Sequence, residues 1–168
     1  EPDPDEAATQ MSVAAELLHA AGLFRYETAS YSRPGEECVH NVRYWTGAPY
    51  LGVGPGAASM LPVALAKRTP LGARAVYSWP DEWRVRFTWH DTTEDFLACL
   101  WDCQPVGLEA LTAEEALRED AMLGMRLAAG ITDALAREAG AVDRLSALAA
   151  QGLVEHEGGR WRTTERGW

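Results

Sequence analysis

Cysteine is scarce in this 168-residue chain, and the three present, Cys38, Cys99 and Cys103, show no framework spacing. An odd, irregular set argues against a disulfide-stapled secreted fold and agrees with a reducing compartment. Positive charge is short as well: 15 Lys and Arg stand against 25 Asp and Glu, for a formal net charge of −10. A sequence-independent grip on nucleic acid or anionic lipid depends on a basic surface, so neither is expected as a partner. Long apolar runs are missing too. No uninterrupted stretch approaches the roughly 18 residues a membrane span requires, and "EPDPDEAATQ" lacks the basic-then-apolar layout of a signal peptide. The expectation is a cytoplasmic protein without a membrane span.

What is present suffices for a core: 47% of the residues are hydrophobic, enough for one domain or two small ones. Asp5 and Glu6 suit a helix start, where carboxylates complement the dipole. Met11, Ala14, Ala15, Leu18 and Ala21 then follow helical spacing as a core stripe, and Gly22 closes the helix as a C-cap. His19 on that helix reads as a surface or boundary residue. "LFRYETA" follows as a strand, and helix plus strand form an αβ step of the kind that builds a parallel barrel. Glu27 lies near that strand's C-terminal end, where parallel α/β sheets collect ligands; the alternative is a carboxylate that holds loop amides.

The segment Tyr26–Ser59 concentrates chemistry in what reads as loop. Arg33-Pro34-Gly35 marks a turn. His40 can ligate iron through one ring nitrogen, Tyr44 and Trp45 offer flat faces for a porphyrin, and Asn41 either orients the imidazole or braces the loop. The alternative is purely structural, with His40 and Asn41 tying down backbone and Tyr44 and Trp45 plugging a barrel end. "PYLGVGPGAAS" reads as a short strand over Tyr50–Val53 and a turn in which Gly54 and Gly56 permit close approach or positive φ. No Gly-Lys-Ser/Thr follows, and Pro55 removes an amide donor, so neither a Walker loop nor a dinucleotide fingerprint fits.

The order of "YE", "RPG", "HNVRYW" and "YLGVGPGA" resembles the HemN/HemW group of radical S-adenosylmethionine (SAM) proteins, which comprises oxygen-independent coproporphyrinogen III oxidases and haem-chaperone relatives. His40-Asn41-Val42-Arg43-Tyr44-Trp45 resembles the HNxxYW signature of the HemW-type chaperones more than the oxidases. "AMLGMRLAAGI" and "LAAQGLVEHEGGRWRTTERG" resemble the family's small C-terminal domain, so the likeness covers nearly the whole chain. It departs at Thr28-Ala29-Ser30 (usually Ile-Ser-Asn), at Cys38-Val39 (usually Ser-Arg) and at Ala58 (usually His).

The resemblance implies an α/β plus α fold: late strands and helices of an incomplete radical SAM barrel over 1–105, then a small helical, winged-helix-like domain over 106–168. It implies a parent protein with a [4Fe-4S] cluster and SAM, whose chemistry begins with reductive cleavage of SAM. It places Val53, Gly54 and Gly56 at the adenosine wall, with tight strand-loop packing as the alternative. Glu27, His40, Asn41, Tyr44 and Trp45 complete the cofactor candidates, His40 also as a metal ligand. Radical SAM chemistry needs a CxxxCxxC loop, and Cys38, Cys99 and Cys103 do not have that spacing. The chain therefore reads as a C-terminal fragment, inactive alone, with a missing N-terminal barrel and a tetrapyrrole as partners, handling haem in preference to oxidising porphyrinogens.

The rest of the chain is read from pattern. Residues 61–69 read as connection. "ARAVYSW" and "EWRVRFTWH" suggest two strands joined near Pro80-Asp81, with Trp79, Trp83 and Trp89 forming an exposed face or a lid on the sheet core. Thr92 or Thr93 caps a helix through "EDFLACLWDC", in which Cys99 and Cys103 sit one turn apart, as small buried side chains or as a shared metal contact. Thr112 and Glu115 form a capping box for a helix that carries Leu117, Ala121, Leu123 or Met125, and Ala128 toward a core and ends at Gly130. Helices from Thr132 and Val142 follow, then a hairpin about Gly158-Gly159. That ending supports a second function, a winged-helix regulator or protein-interaction domain; its recognition helix offers only Arg144, beside a rim of Arg160, Arg162 and Arg166.

Overall fold

The computed structural model describes residues 3–69, 82–100 and 105–168, which mix helices and strands without a closed barrel. They form two compact units, 1–46 together with 121–168, and 47–120. No helix among the described residues is long and apolar enough to cross a membrane.

The first unit opens with helix α1, Pro4–Ala20. Gly22, at φ +78°, ends it: its amide donates to His19 O (2.9 Å), and that of Leu23 to Leu18 O (2.9 Å), which satisfies two orphan carbonyls. The expected core stripe is only partly buried. Ala15 and Leu18 are half-buried, whereas Met11, Ala14 and Ala21 are exposed along with Val13 and Leu17. Apolar side chains surround this helix, and it packs chiefly on the short strand that follows.

That strand, β1 (Phe24–Arg25), pairs antiparallel with β2 (Tyr31–Ser32) in the register Phe24↔Ser32 and Arg25↔Tyr31. Among the described residues β1 therefore has an antiparallel partner and not the parallel one expected of a barrel step. Residues 26–30 turn the chain straight back, and a hairpin partner needs no crossover. The loop expected around His40 is instead helix α2, Val39–Trp45, with no buried residue and no side-chain cap from Cys38.

The second unit is built on a sheet of β3 (Ala58–Pro62), β4 (Glu82–Thr88) and β5 (Gly107–Thr112), in the order β3-β4-β5 and antiparallel throughout. Helix α3 (Val63–Ala66) follows β3 directly. Residues 61–69 are therefore strand end and helix, not plain connection. Along β4 the period-2 pattern buries Val85 and Phe87, which pack with Leu61, Val63 and Ala66 under Trp89, Leu108 and Ala110. "EWRVRFTWH" is thus a strand as expected, paired with β3 and β5; its proposed partner "ARAVYSW", with Trp79, lies outside the described residues. Trp83 is exposed, while Trp89 is half-buried, edge-on to Phe87 (5.6 Å) and Phe96 (6.0 Å).

Arg84 and Arg86 alternate with the core residues on β4. Arg84 meets Asp120 through two bonds of 2.6 and 2.5 Å, and Arg86 reaches Glu109 (2.9 Å) and Glu119. Helix α4, Thr93–Leu100, is capped by Thr92, whose Oγ1 accepts from the Asp95 amide (3.1 Å). Residues 101–104, with Cys103, lie outside the described set, as does the side chain of Cys99. The expected capping box is present: the Thr112 amide donates to Glu115 Oε2 (2.9 Å), and the Glu115 amide to Thr112 Oγ1 (3.3 Å). It starts α5, Ala113–Gly124, which buries Ala116 and Ala121, with Leu117, Leu123, Met125 and Ala128 half-buried on or just past it.

The chain re-enters the first unit within α5 and continues as β6 (Ile131–Thr132), α6 (Asp133–Glu138), α7 (Val142–Ala150), β7 (Val154–Glu157) and β8 (Arg160–Thr163). The strands order as β6-β8-β7, antiparallel, about a Gly158-Gly159 turn. Ile131, Leu127, Ala136, Leu145, Val154 and Trp161 are buried here. Gly130 (φ +61°) is forced by packing: a Cβ there would lie 1.9 Å from Trp161 O.

Candidate functional site

In the first unit the candidate residues converge on three short segments. Residues 26–28 run beside 126–128. Glu27 bridges Leu127 antiparallel, the Ala128 amide donates to Tyr26 O (3.0 Å), and Thr28 Oγ1 donates to Arg126 O (3.5 Å). This pairing buries Glu27 to 4% exposure. Among the described residues its carboxylate accepts no hydrogen bond, so the loop-amide role does not account for it.

Helix α2 docks on this junction by one face. Asn41 Nδ2 donates to Tyr26 Oη (3.2 Å), and one turn later Trp45 lies under the Arg126 guanidinium, 5.2 Å from its centre. Both anchors are i and i+4 on a single helix stripe, so they hold the same side. The next stripe carries His40 and Tyr44, whose rings meet edge-to-face at 4.9 Å. Both side chains are exposed, Tyr44 by 39%. Among the described residues no hydrogen bond engages either nitrogen of His40. Asn41 therefore braces the helix and does not orient the imidazole.

The glycine segment belongs to the second unit. The expected strand over Tyr50–Val53 reduces to one bridge, Tyr50↔Met60. Fully buried Ser59 anchors the backbone at Gly52: its Oγ accepts from the Gly52 amide (3.0 Å) and donates to Gly52 O (3.4 Å), which also accepts from Trp89 Nε1 (3.3 Å). Beyond this clamp Gly54 (φ +116°) and Gly56 (φ +68°) swing the backbone outward, and Gly56 donates to His90 O (2.8 Å). Val53 is left 81% exposed. Tyr26, Ser59 and Arg126 position the candidates, and none of the three was singled out from the sequence. Arg126 lies too far along the chain for any local pattern to connect it with Trp45.

A family model described as the HemN C-terminal domain matches residues 111–168. The protein named Heme chaperone HemW of Mycobacterium tuberculosis is 33% identical over 167 residues, which is 99% of this chain and 37% of that protein. The one of Synechocystis is 34% identical over 131 residues, 78% of this chain and 28% of that one. Among solved structures, coproporphyrinogen III oxidase (HemN) from Escherichia coli, described as a radical SAM enzyme, matches with a TM-score of 0.62 at 15% identity over 99% of this chain and 39% of that chain. At that identity the likeness shows the fold alone.

The chain belongs to the HemN/HemW family. It is a C-terminal region of that type and spans roughly a third of the length of the curated relatives it matches. Membership implies a [4Fe-4S] cluster and SAM in the family's whole proteins, and the residues here can be tested for fit. Among the described residues no three His, Cys, Asp or Glu side chains group to hold a metal, and Cys38 stands exposed by itself. Among the described residues the thiols do not form a three-thiolate cluster. The fit to a tetrapyrrole is better: an exposed imidazole with both nitrogens open lies beside an aromatic ring on a helix pinned from behind.

Proposed function

We infer that this chain is the tetrapyrrole-facing C-terminal region of a HemW-type radical SAM protein and handles haem instead of decarboxylating porphyrinogens. The carrying observation is the division of α2 into two stripes. Asn41 and Trp45 fix the helix through Tyr26 and Arg126, and this leaves His40 exposed to ligate iron, with the exposed Tyr44 ring beside it to lie against the macrocycle. A ring nitrogen of His40 would hold the iron, and the pinned helix would fix the direction of that imidazole. The names of the mycobacterial and cyanobacterial relatives, and the HNxxYW signature, support the chaperone branch.

In the same reading the cluster and SAM sit in a barrel outside these residues, and the fragment alone is inactive. Val53, Gly54 and Gly56 would face the adenosine from an exposed turn, and Glu27 would give its unpaired carboxylate to a ligand donor. Residues 1–105 would complete that barrel and 106–168 form the appended domain; the cytoplasm is the proposed location.

Haemin titration of the purified protein tests this. A Soret shift is expected that weakens at least tenfold in His40→Ala. Identical spectra for the two proteins would remove His40 from the ligand set.

A second reading has its own observation. The sequence α5-β6-α6-α7-β7-β8 with sheet order β6-β8-β7 is the arrangement expected of a winged-helix-like module. Its basic rim, however, is largely spent on backbone: Arg160 donates to Ala129 O and Gly130 O, and Arg166 to Gln151 O. A protein-interaction role suits it better than DNA binding. No mobility shift of duplex DNA is expected at low salt.

A further inference from the structure

A groove of about 780 Å³ opens in the first unit along α1, and β1, β2 and the last residues of the chain close its other sides. His40 does not line it, so it is separate from the α2 site and does not rest on the haem reading. Its apolar wall comes from Met11, Ala15 and Leu23, its aromatic wall from Tyr31 and Trp168. Arg25 lies between these features and is already fixed. Its Nη1 donates to Thr28 O (2.8 Å), and its guanidinium carbon lies 5.0 Å from the Tyr31 ring centre and 5.1 Å from that of Trp168.

One donor is left over. Arg25 Nε is buried and has no partner. Buried orphan donors are rare, and the Nε edge of a guanidinium, with Nη2 beside it, matches the two oxygens of a carboxylate. The remaining charges limit the ligand. Arg166 also lines the groove but is bonded to Gln151 O, and Glu16 and Glu165 bring two negative charges to the same walls. A second carboxylate inside would meet the repulsion of both glutamates.

The geometry points to a binding site for an apolar molecule that inserts one carboxylate, held side-on by Arg25 between Tyr31 and Trp168. Two sources share that chemistry: one propionate arm of a porphyrin whose other arm stays in solvent, and the head of an acyl-chain acid. The orphan donor selects the carboxylate, and the walls of Met11, Ala15 and Leu23 select the apolar body.

The test is quenching of tryptophan fluorescence by mesoporphyrin IX, which carries propionates but no iron for His40 to ligate, with dodecanoate as competitor. Saturable quenching is expected, weakened about tenfold in Arg25→Lys, which keeps the charge but loses the fork. Ala15→Phe, which fills the groove from a half-buried position on α1, should abolish binding. It stands as the independent variant if Arg25→Lys unfolds, and thermal melts check both. Displacement by dodecanoate assigns the acyl source; quenching that is Arg25-dependent and unaffected by dodecanoate assigns the porphyrin source. The proposal is overturned if neither probe binds saturably, or if both variants bind as the unaltered protein does. Loss of the Soret response in His40→Ala with mesoporphyrin binding intact would separate this site from the α2 site.

Discussion

The ion pair on β4 gives the most quantitative prediction. Arg84 and Asp120 have side-chain exposures of 13% and 16% and meet fork to fork at 2.6 and 2.5 Å. The hydrogen bonds that Asp120 accepts from Arg84 raise the Arg84 pKa above its ordinary value against the opposing effect of burial, so the arginine stays charged. Gly47 is part of the same arrangement, since a Cβ there would lie 2.0 Å from Asp120 Oδ1. Removing one partner leaves a nearly dry cation uncompensated, which costs about 3–5 kcal/mol when burial is complete. With about a seventh of each side chain still wet, the expected cost of Asp120→Ala is about 2–3 kcal/mol. At a urea slope of about 1–2 kcal/mol/M the unfolding midpoint should fall by about 1–3 M. Arg84→Met with Asp120→Leu should recover most of this, because two apolar groups leave no buried charge. Urea unfolding of the parent, Arg84→Met, Asp120→Leu and the double variant, followed by tryptophan fluorescence, gives the coupling. A cost below about 0.5 kcal/mol for Asp120→Ala would mean that water screens the pair, and the reasoning would fail.

Gly130→Ala should lower the melting temperature by several degrees or prevent folding of the C-terminal hairpin, because the Trp161 carbonyl cannot yield the 1.9 Å gap; a melt within one degree of the parent refutes this. The Glu115 pKa is lowered by its bonds to the Thr112 backbone and hydroxyl. A depressed carboxylate contributes stability that is present above its ordinary value and lost as the pH falls through the folded one, so acid unfolding below about pH 4.5 should be shallower in Glu115→Gln. Trp45→Ala should raise amide exchange across 39–45 while leaving β7 and β8 protected, since it removes the contact with Arg126 at a cost of about 0.5–2 kcal/mol.

What the sequence made legible was local. The end of α1 at Gly22, the Thr112–Glu115 box and the Gly158-Gly159 hairpin are each encoded in a few adjacent residues, and each is present. Helix α2 was missed for the opposite reason. Val39, His40, Asn41, Tyr44 and Trp45 are indifferent helix formers, Cys38 provides no cap, and the helix is held by Tyr26 and Arg126 from elsewhere in the chain. Strand β3 is hidden behind its small residues and Pro62, and the two residues of β1 carry no sign of the strand they pair with. At the site, motif order groups His40, Asn41, Tyr44 and Trp45, but which of them face outward depends on a helix that the pattern does not declare.

The most direct test of the α2 account is the electronic spectrum of the ferric haem complex, with free imidazole as a rescue reagent. The unaltered protein should show imidazole-ligated iron; His40→Ala should lose that signature and regain it on adding imidazole, while Asn41→Ala keeps the ligand but binds more weakly as α2 loosens. An imidazole-ligated spectrum that survives unchanged in His40→Ala would contradict the outward-facing assignment of that stripe.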